Sequence, residues 1–300
     1  MHSNSKHTLL KIFSMFSVVR GYNIGLIILA QYLTSVFILA PNVSVLDVLL
    51  DPYLFAVVLA TVGAVASGYI INNFYDQEKD LINRPQKFVL ERMVSQQTKL
   101  KLYFILNFLV LLSASAISFR AVLFFVAYIF AIWFYSHKIK KMPLIGNLTS
   151  ALLSISPFFA IFLYFKNFNQ LIYVFGFYLF LILATRELIK DLESIKGDLA
   201  LDYKTVPVVY GERLTKRMIS ILVLINIVVS LFLVLGFDLG LMDYFFLYSI
   251  LTLVIVLTMT WSTSSQKRYN SIHNILKLLI FLGVLSIALL NPELIINKIF

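Results

Sequence analysis

The sequence predicts an all-α fold: a polytopic membrane bundle of about nine transmembrane helices, amino terminus cytoplasmic and carboxyl terminus outside. Three observations predict it. Hydrophobic residues make up 60% of the 300 residues and the mean hydropathy is +0.89, whereas a soluble domain is nearer half apolar. Long apolar runs follow one another along the chain, each of a length that suits a span. With nine spans, all but three of the 25 Lys and Arg residues (Arg120, Lys166 and Lys298) fall on the amino-terminal side. That asymmetry is the positive-inside pattern of a cytoplasmic face. It accounts for the net charge of +10 without a nucleic-acid partner. The absence of Cys excludes disulfides and thiolate metal sites.

Residues 1–20 are polar and basic, with Lys6, Lys11 and Arg20. Among them Leu9, Leu10, Ile12, Phe13 and Phe16 predict a short amphipathic helix lying in the interface. The first apolar run, 22–40, is long and lacks a small-residue cleavage pattern, so it reads as a retained span. The second, 53–72, carries Gly63, Ala64, Ala66, Ser67 and Gly68, which allow close helix contact. A long polar loop over 74–99 follows. Spans at 102–118 and 121–135 are joined by a tight turn at Phe119-Arg120. After the basic loop 136–142 comes a fifth span, 144–165, which Pro157 should kink. The sixth, 171–188, leads into a polar loop of some 25 residues, and loops that long are usually functional. Spans at 218–237, 244–261 and 275–290 complete the chain. The whole of 1–300 reads as one integral-membrane domain.

The chemistry concentrates at two helix ends. Asn72, Asp76 and Asp80 follow the second span four residues apart, so a helix stacks them on one face. Like charges at that spacing repel. Either a divalent cation offsets the repulsion or this is an acidic helix end in water. Oxygen ligands of this kind suit Mg²⁺, which shares carboxylates with substrate phosphates. After the sixth span, Glu187, Asp191 and Asp198 fall at i, i+4 and i+11. They share a face if the helix continues past Gly197, a residue that often ends helices. Two acidic clusters of this kind could face each other and hold two metals. His2, His7, His137 and His273 show no ligand spacing.

These residues resemble the signatures of the UbiA-type intramembrane prenyltransferases. The first signature, Asn-Asp-x-x-Asp-x-x-x-Asp, reads here Asn72-Asn73-x-x-Asp76-x-x-x-Asp80, with Asn at the second position. The second reads Lys190-Asp191, then Ser194 where an acid is expected, then Gly197-Asp198, followed by Lys204-Thr205-Val206-Pro207. Smaller matches are Arg20-Gly21-Tyr22-Asn23, Tyr135-Ser136 with Lys140-Lys141, and Gly146-Asn147. The form of the second signature is most similar to the branch of geranylgeranylglyceryl phosphate geranylgeranyltransferases. The resemblance implies Mg²⁺-dependent transfer of a prenyl group from a prenyl diphosphate to a lipophilic acceptor in the membrane. It implies Asn72, Asp76, Asp80, Asp191 and Asp198 as metal ligands; at Ser194, where the acid is missing, either the neighbouring Glu193 stands in as a ligand or the second metal is held less firmly. Asp76, Asp80, Asp191 and Asp198 are then the catalytic carboxylates. Arg20, Arg84, Lys140 and Lys204 are the implied diphosphate contacts, with Tyr135 and Asn147 as orienting groups. The site would face the cytoplasm, in the cell membrane. The 27 Phe and 16 Tyr offer π faces to an allylic cation, although most serve lipid contact and helix packing.

Other readings compete. An aromatic acceptor of the quinone pathways (a hydroxybenzoate, homogentisate or naphthoate) is the alternative within the family. An ion-coupled secondary transporter is the alternative from another class. Transporters place ionisable groups near the bilayer midplane, whereas every Asp and Glu here falls at a predicted span end or in a loop. A phosphatidyltransferase would need an Asp-Gly-x-x-Ala-Arg pattern, which the sequence lacks.

Overall fold

A computed structural model describes residues 2–167, 169–262 and 264–290, with side chains from Leu10 onward. The side chains of Lys6 and Leu9, and the carboxyl-terminal residues 291–300 with Lys298, lie outside the described residues. Among those described there is helix and no strand. Helix α1 is His2–Val18 and α2 is Gly21–Thr34, which runs on as a π-helical turn over Ser35–Leu39. Then come α3 (Val45–Leu49), α4 (Pro52–Tyr75), α5 (Gln77–Asn83), α6 (Pro85–Glu91), α7 (Gln96–Ile117) and α8 (Phe119–His137). The second half holds α9 (Ile145–Phe165), α10 (Gln170–Ala200), α11 (Val206–Gly236), α12 (Asp243–Ser262) and α13 (Gln266–Ser286).

Nine of the described helices are long and apolar enough to cross a membrane. The chain is an integral multi-pass membrane protein. Two of the nine stand apart: α4 and α10 each have 67% of their most apolar stretch buried inside the protein, against 39% or less for the others. These are the helices that carry the two acidic motifs. Small residues explain why α4 can be so enclosed. At Gly63 and Gly68 an added Cβ would press on Val110 and Ile132 respectively, so neighbouring helices lie close against this stretch.

Apolar side chains gather into two main cores. One joins the π turn and helices α4, α7, α8 and α9, with Leu54, Val110 and Ile161 at its centre. The other joins α10 to α13 around Ile189, Val223 and Phe246. Pro157 inside α9 cannot donate to the carbonyl of Leu153. The Tyr128 hydroxyl donates to that carbonyl instead, at 3.0 Å, and so satisfies a backbone group in a region without water. Gln31 Nε2 donates to the Pro157 carbonyl at 2.8 Å and ties α2 to the same place.

Three segments differ from the sequence reading. The polar stretch 74–99 is mostly helical. Asp76 ends α4, α5 follows at once, and Pro85 starts α6 at a position where its missing N–H costs nothing. Helix α10 does not stop near Leu188. Its 31 residues span roughly 46 Å at 1.5 Å per residue, against about 30 Å of hydrocarbon, so its polar end stands clear of the membrane. Gly197 does not terminate it. Helix α11 begins at Val206, well before residue 218, and bends at Gly211, whose φ of 81° and ψ of 161° suit a residue without a Cβ.

Candidate active site

The two acidic motifs dock against each other where α4 and α10 emerge. Asn83, at the end of α5, accepts from the Gly197 N–H at 3.2 Å and donates to the Ser194 carbonyl at 3.4 Å. Arg84 pairs with Glu193 Oε1 at 2.8 Å. Lys79 forms an ion pair with Asp198 Oδ1, though without hydrogen-bond alignment. Ser194 Oγ and Thr205 Oγ1 donate to the other oxygen of Asp198, at 3.1 and 3.2 Å. A residue with no exposed surface is thereby held from both oxygens, as a buried carboxylate requires.

Because α10 continues through Gly197, Glu187, Asp191 and Asp198 do share a face. Asn147 Nδ2 donates to Asp191 Oδ2 at 2.7 Å. Lys140 Nζ lies 2.6 Å from Asp76 Oδ1 and 3.3 Å from Asn72 Oδ1. Burial works to raise the Asp76 carboxyl. Lys140 and Lys79 outweigh it and hold the group below the usual carboxylate range. Burial in turn pushes Lys140 below the usual lysine range, with Asp76 working the other way. Tyr203, on the link between α10 and α11, lies with the ammonium groups of Lys141 and Lys79 over its ring at 4.6 and 5.1 Å. Two other segments of the chain are thus gathered over the buried aromatic ring of a third.

Below this cap a cavity of 320 Å³ extends into the membrane region between the two cores. Its walls are apolar, from Leu26, Phe158, Phe175 and Leu279 among others, and its mouth carries Arg20, Asn72, Tyr135, Arg186, Glu187 and Lys190. Arg20 sits at the sharp break between α1 and α2 with φ 50° and ψ 56°, an unusual conformation for a residue with a side chain. Its guanidinium stacks over the Tyr69 ring at 4.9 Å. A Cβ at Gly21 would collide with the Phe16 ring, so glycine permits this break.

Of the residues singled out in the sequence, Arg20, Asn72, Tyr135 and Glu187 line the cavity directly. Asp76, Asp191 and Asp198 stand around its cap, tied to Lys140, Asn147 and Lys79 as described. Asp80 pairs with Lys87 at 3.3 Å. Glu193 and Arg84 face each other and are not among the cavity-lining residues, and Lys204 is exposed. Sequence reasoning missed Arg186, Lys190 and Tyr69 as cavity groups. Asn73, beside the first motif, serves another purpose. It donates to Glu91 Oε2 at 2.7 Å and accepts from Lys99 at 2.8 Å. Glu91 also accepts from Ser17 at 3.0 Å, so this network ties α1, α4, α6 and α7 together.

The site's oxygen donors suit a hard divalent cation. No three carboxylates or imidazoles among the described residues already converge on one point. Lys140, however, places a positive charge between Asn72 and Asp76, so those two oxygens already share one cation.

Nine spans among the described residues and a charged cap over an apolar cavity define an intramembrane protein built to take an amphiphile, anionic head at the cap and tail within. The chain belongs to the UbiA prenyltransferase family, which matches residues 28–281, and it is a prenyltransferase. It is 30% identical over 231 residues to a digeranylgeranylglyceryl phosphate synthase of Sulfurisphaera tokodaii, covering 74% of this chain and 82% of that one. It is also 30% identical over 194 residues to the protein of the same name from Methanosphaera stadtmanae, covering 65% and 68%. The fold is shared with a UbiA homologue from Archaeoglobus fulgidus solved with GPP and Mg²⁺. The TM-score is 0.66 at 16% identity, over 92% of this chain and 99% of that one.

Proposed function

We propose that the protein transfers a geranylgeranyl-type prenyl group from its diphosphate to geranylgeranylglyceryl phosphate, in a Mg²⁺-dependent reaction at the cytoplasmic face of the cell membrane. The observation that carries this reading is the docking of the two acidic motifs on each other above the apolar cavity. The names of the relatives supply the acceptor, and the positive-inside asymmetry supports a cytoplasmic amino terminus and an external carboxyl terminus. In this reading residues 1–300 form a single domain.

The reaction breaks the bond between the allylic carbon and the diphosphate oxygen, and the diphosphate leaves with the electron pair. A hydroxyl oxygen of the acceptor forms the new carbon–oxygen bond and gives up its proton. Asn72, Asp76, Asp80, Asp191 and Asp198 would hold the metal, with Asn147 orienting Asp191. Bound there, Mg²⁺ supplies positive charge to stabilise the leaving diphosphate. Lys140 and Arg20 contact the diphosphate oxygens, and Lys79 adds positive charge beside them. The apolar walls receive the prenyl tail and keep water from the electron-deficient carbon. Glu193, Arg84 and Lys204 take no direct part in this arrangement: the first two brace the cap and the third lies outside the cavity. The test is mass spectrometry of the products formed by purified protein with Mg²⁺, geranylgeranyl diphosphate and a panel of acceptors. Prenylation of an aromatic acceptor alone would overturn the acceptor assignment.

A further inference from the structure

Beside the groups assigned to the diphosphate, the cavity mouth carries further charges on α10. Along α10 the acidic stripe of Glu187, Asp191 and Asp198 turns towards the cap. Arg186 and Lys190, four residues apart, form a neighbouring stripe about 100° round the helix from Glu187 and Asp191. Both basic residues line the cavity. From α13 comes Lys277, half-buried, with its ammonium over the Tyr22 ring at 5.7 Å. Arg186 and Arg20 act on Lys277 as like charges. Buried His273, one turn earlier on α13, is under the charge of Arg186, Lys277 and Lys190 together.

One carboxylate answers these charges at the cavity mouth. Glu187 takes Lys190 at 2.9 Å and Arg186 at 3.6 Å. The Arg186 Nε–H is buried without a hydrogen-bond partner. The positive-inside rule asks for basic residues in loops; it does not ask for arginine and lysine along helices at a cavity. Gathering like charges at a low-dielectric wall is unfavourable without an anion to share.

We propose that Arg186, Lys190 and Lys277 form the subsite for the phosphate monoester of the acceptor, beside the diphosphate subsite at Asp76 and Lys140. The proposal rests on the prenyltransferase reading above and adds to it the residues that choose the acceptor. Charge decides the ligand class. Glu187 leaves the three cations with two net positive charges. A phosphate monoester at neutral pH carries about −1.5 to −2, which matches, whereas the carboxylate of an aromatic acceptor carries one charge. Arg186 offers the planar fork that suits phosphate oxygens, and the two lysines act as point charges.

The test begins with binding, in the absence of Mg²⁺ and prenyl diphosphate. Thermal unfolding of the purified protein is titrated with geranylgeranylglyceryl phosphate and, separately, with the same ether lacking the phosphate. The phosphate-bearing ether stabilises the wild type at lower concentration than the alcohol. Arg186→Gln and Lys277→Met each weaken binding of the phosphate-bearing ether on the order of tenfold, and the preference for phosphate shrinks with it. Arg186→Lys and Lys277→Arg, which keep the charge, recover part of the loss and guard against a simple folding defect. In turnover, the KM for the acceptor rises in Arg186→Gln while that for prenyl diphosphate stays within about twofold. Lys140→Met shows the reverse. Equal loss for both ethers, or a wild-type midpoint in all variants, overturns the subsite. If geranylgeranylglyceryl phosphate is prenylated with an unchanged acceptor KM in both neutral variants, the subsite alone falls. If only aromatic acceptors are prenylated by the wild type, the acceptor reading falls and takes the subsite with it.

Discussion

Lys140 Nζ sits 2.6 Å from Asp76 Oδ1 and within 3.3 Å of the Asn72 amide oxygen, so an ammonium occupies the crook of the first acidic motif. A divalent ion bound by the same two oxygens has to displace it. Lys140→Met should therefore lower the Mg²⁺ concentration that half-stabilises the protein against heat, on the order of tenfold, while slowing prenyl transfer. Weaker Mg²⁺ binding in this variant would show that the lysine and the metal do not compete.

Removal of metal should abolish turnover. Hard oxygen donors without Cys select Mg²⁺ or Mn²⁺ over zinc, so activity lost in excess chelator should return with either of the first two. Asp76→Asn and Asp191→Asn should each cost on the order of 10²-fold or more in kcat at saturating substrate. Full turnover in chelator, or two fully active variants, would remove the metal from the site.

Glu193 and Ser194 separate cleanly. Glu193 pairs with Arg84, so Glu193→Gln should reduce stability by about 1 kcal/mol, the scale of a partly exposed charged hydrogen bond. It should leave the Mg²⁺ requirement unaltered. Ser194 Oγ already touches Asp198 Oδ2 at 3.1 Å, so Ser194→Asp puts a second carboxylate beside the first and should lower the Mg²⁺ needed for half activity. A Mg²⁺ requirement that rises in Glu193→Gln would restore Glu193 as a ligand.

Asn73 yields a prediction against the family pattern, which has Asp there. Its amide both donates to Glu91 and accepts from Lys99, and a carboxylate cannot donate. Asn73→Asp should destabilise the protein by about 2–3 kcal/mol, read as a fall in the unfolding midpoint. Adding Glu91→Gln should recover much of that loss by supplying a donor. A neutral single substitution would mean the network does not hold α4 to α6 and α7.

The charge asymmetry predicts opposite sides for the two ends of the bundle. Reporter fusions after Ser136 and after Phe300 should report cytoplasm and exterior respectively. Reports from the same side would overturn the orientation.

The spans were legible because apolar length is a local property, and the acidic motifs were legible because i,i+4 spacing survives in any helix. What was hidden depended on neighbours. Residues 189–200 look like a loop to hydropathy, since polarity and Gly197 both argue against a span. They are helical because Asn83, Arg84 and Lys79 pack on them from another part of the chain. Similarly, Lys277 could not be grouped with Arg186 from sequence, because only the packing of α13 on α10 brings their charges together. Glu193 lies next to Ser194 in sequence, but adjacent helical positions point about 100° apart, and in the structure Glu193 pairs with Arg84.

The contact at Gly197 bears on how this protein can be recombined with its relatives. A side chain there would run into the Asn83 amide, and that amide is what bonds the Gly197 N–H and the Ser194 carbonyl. The two halves of the chain are therefore matched through a bare stretch of backbone on one side and a single amide on the other. A chimaera that joins 1–165 of this chain to the later spans of a relative inherits only the asparagine half of that fit. It will assemble a working pair of motifs when the donor brings a glycine at the position of Gly197, and it will hold them apart when the donor brings anything larger.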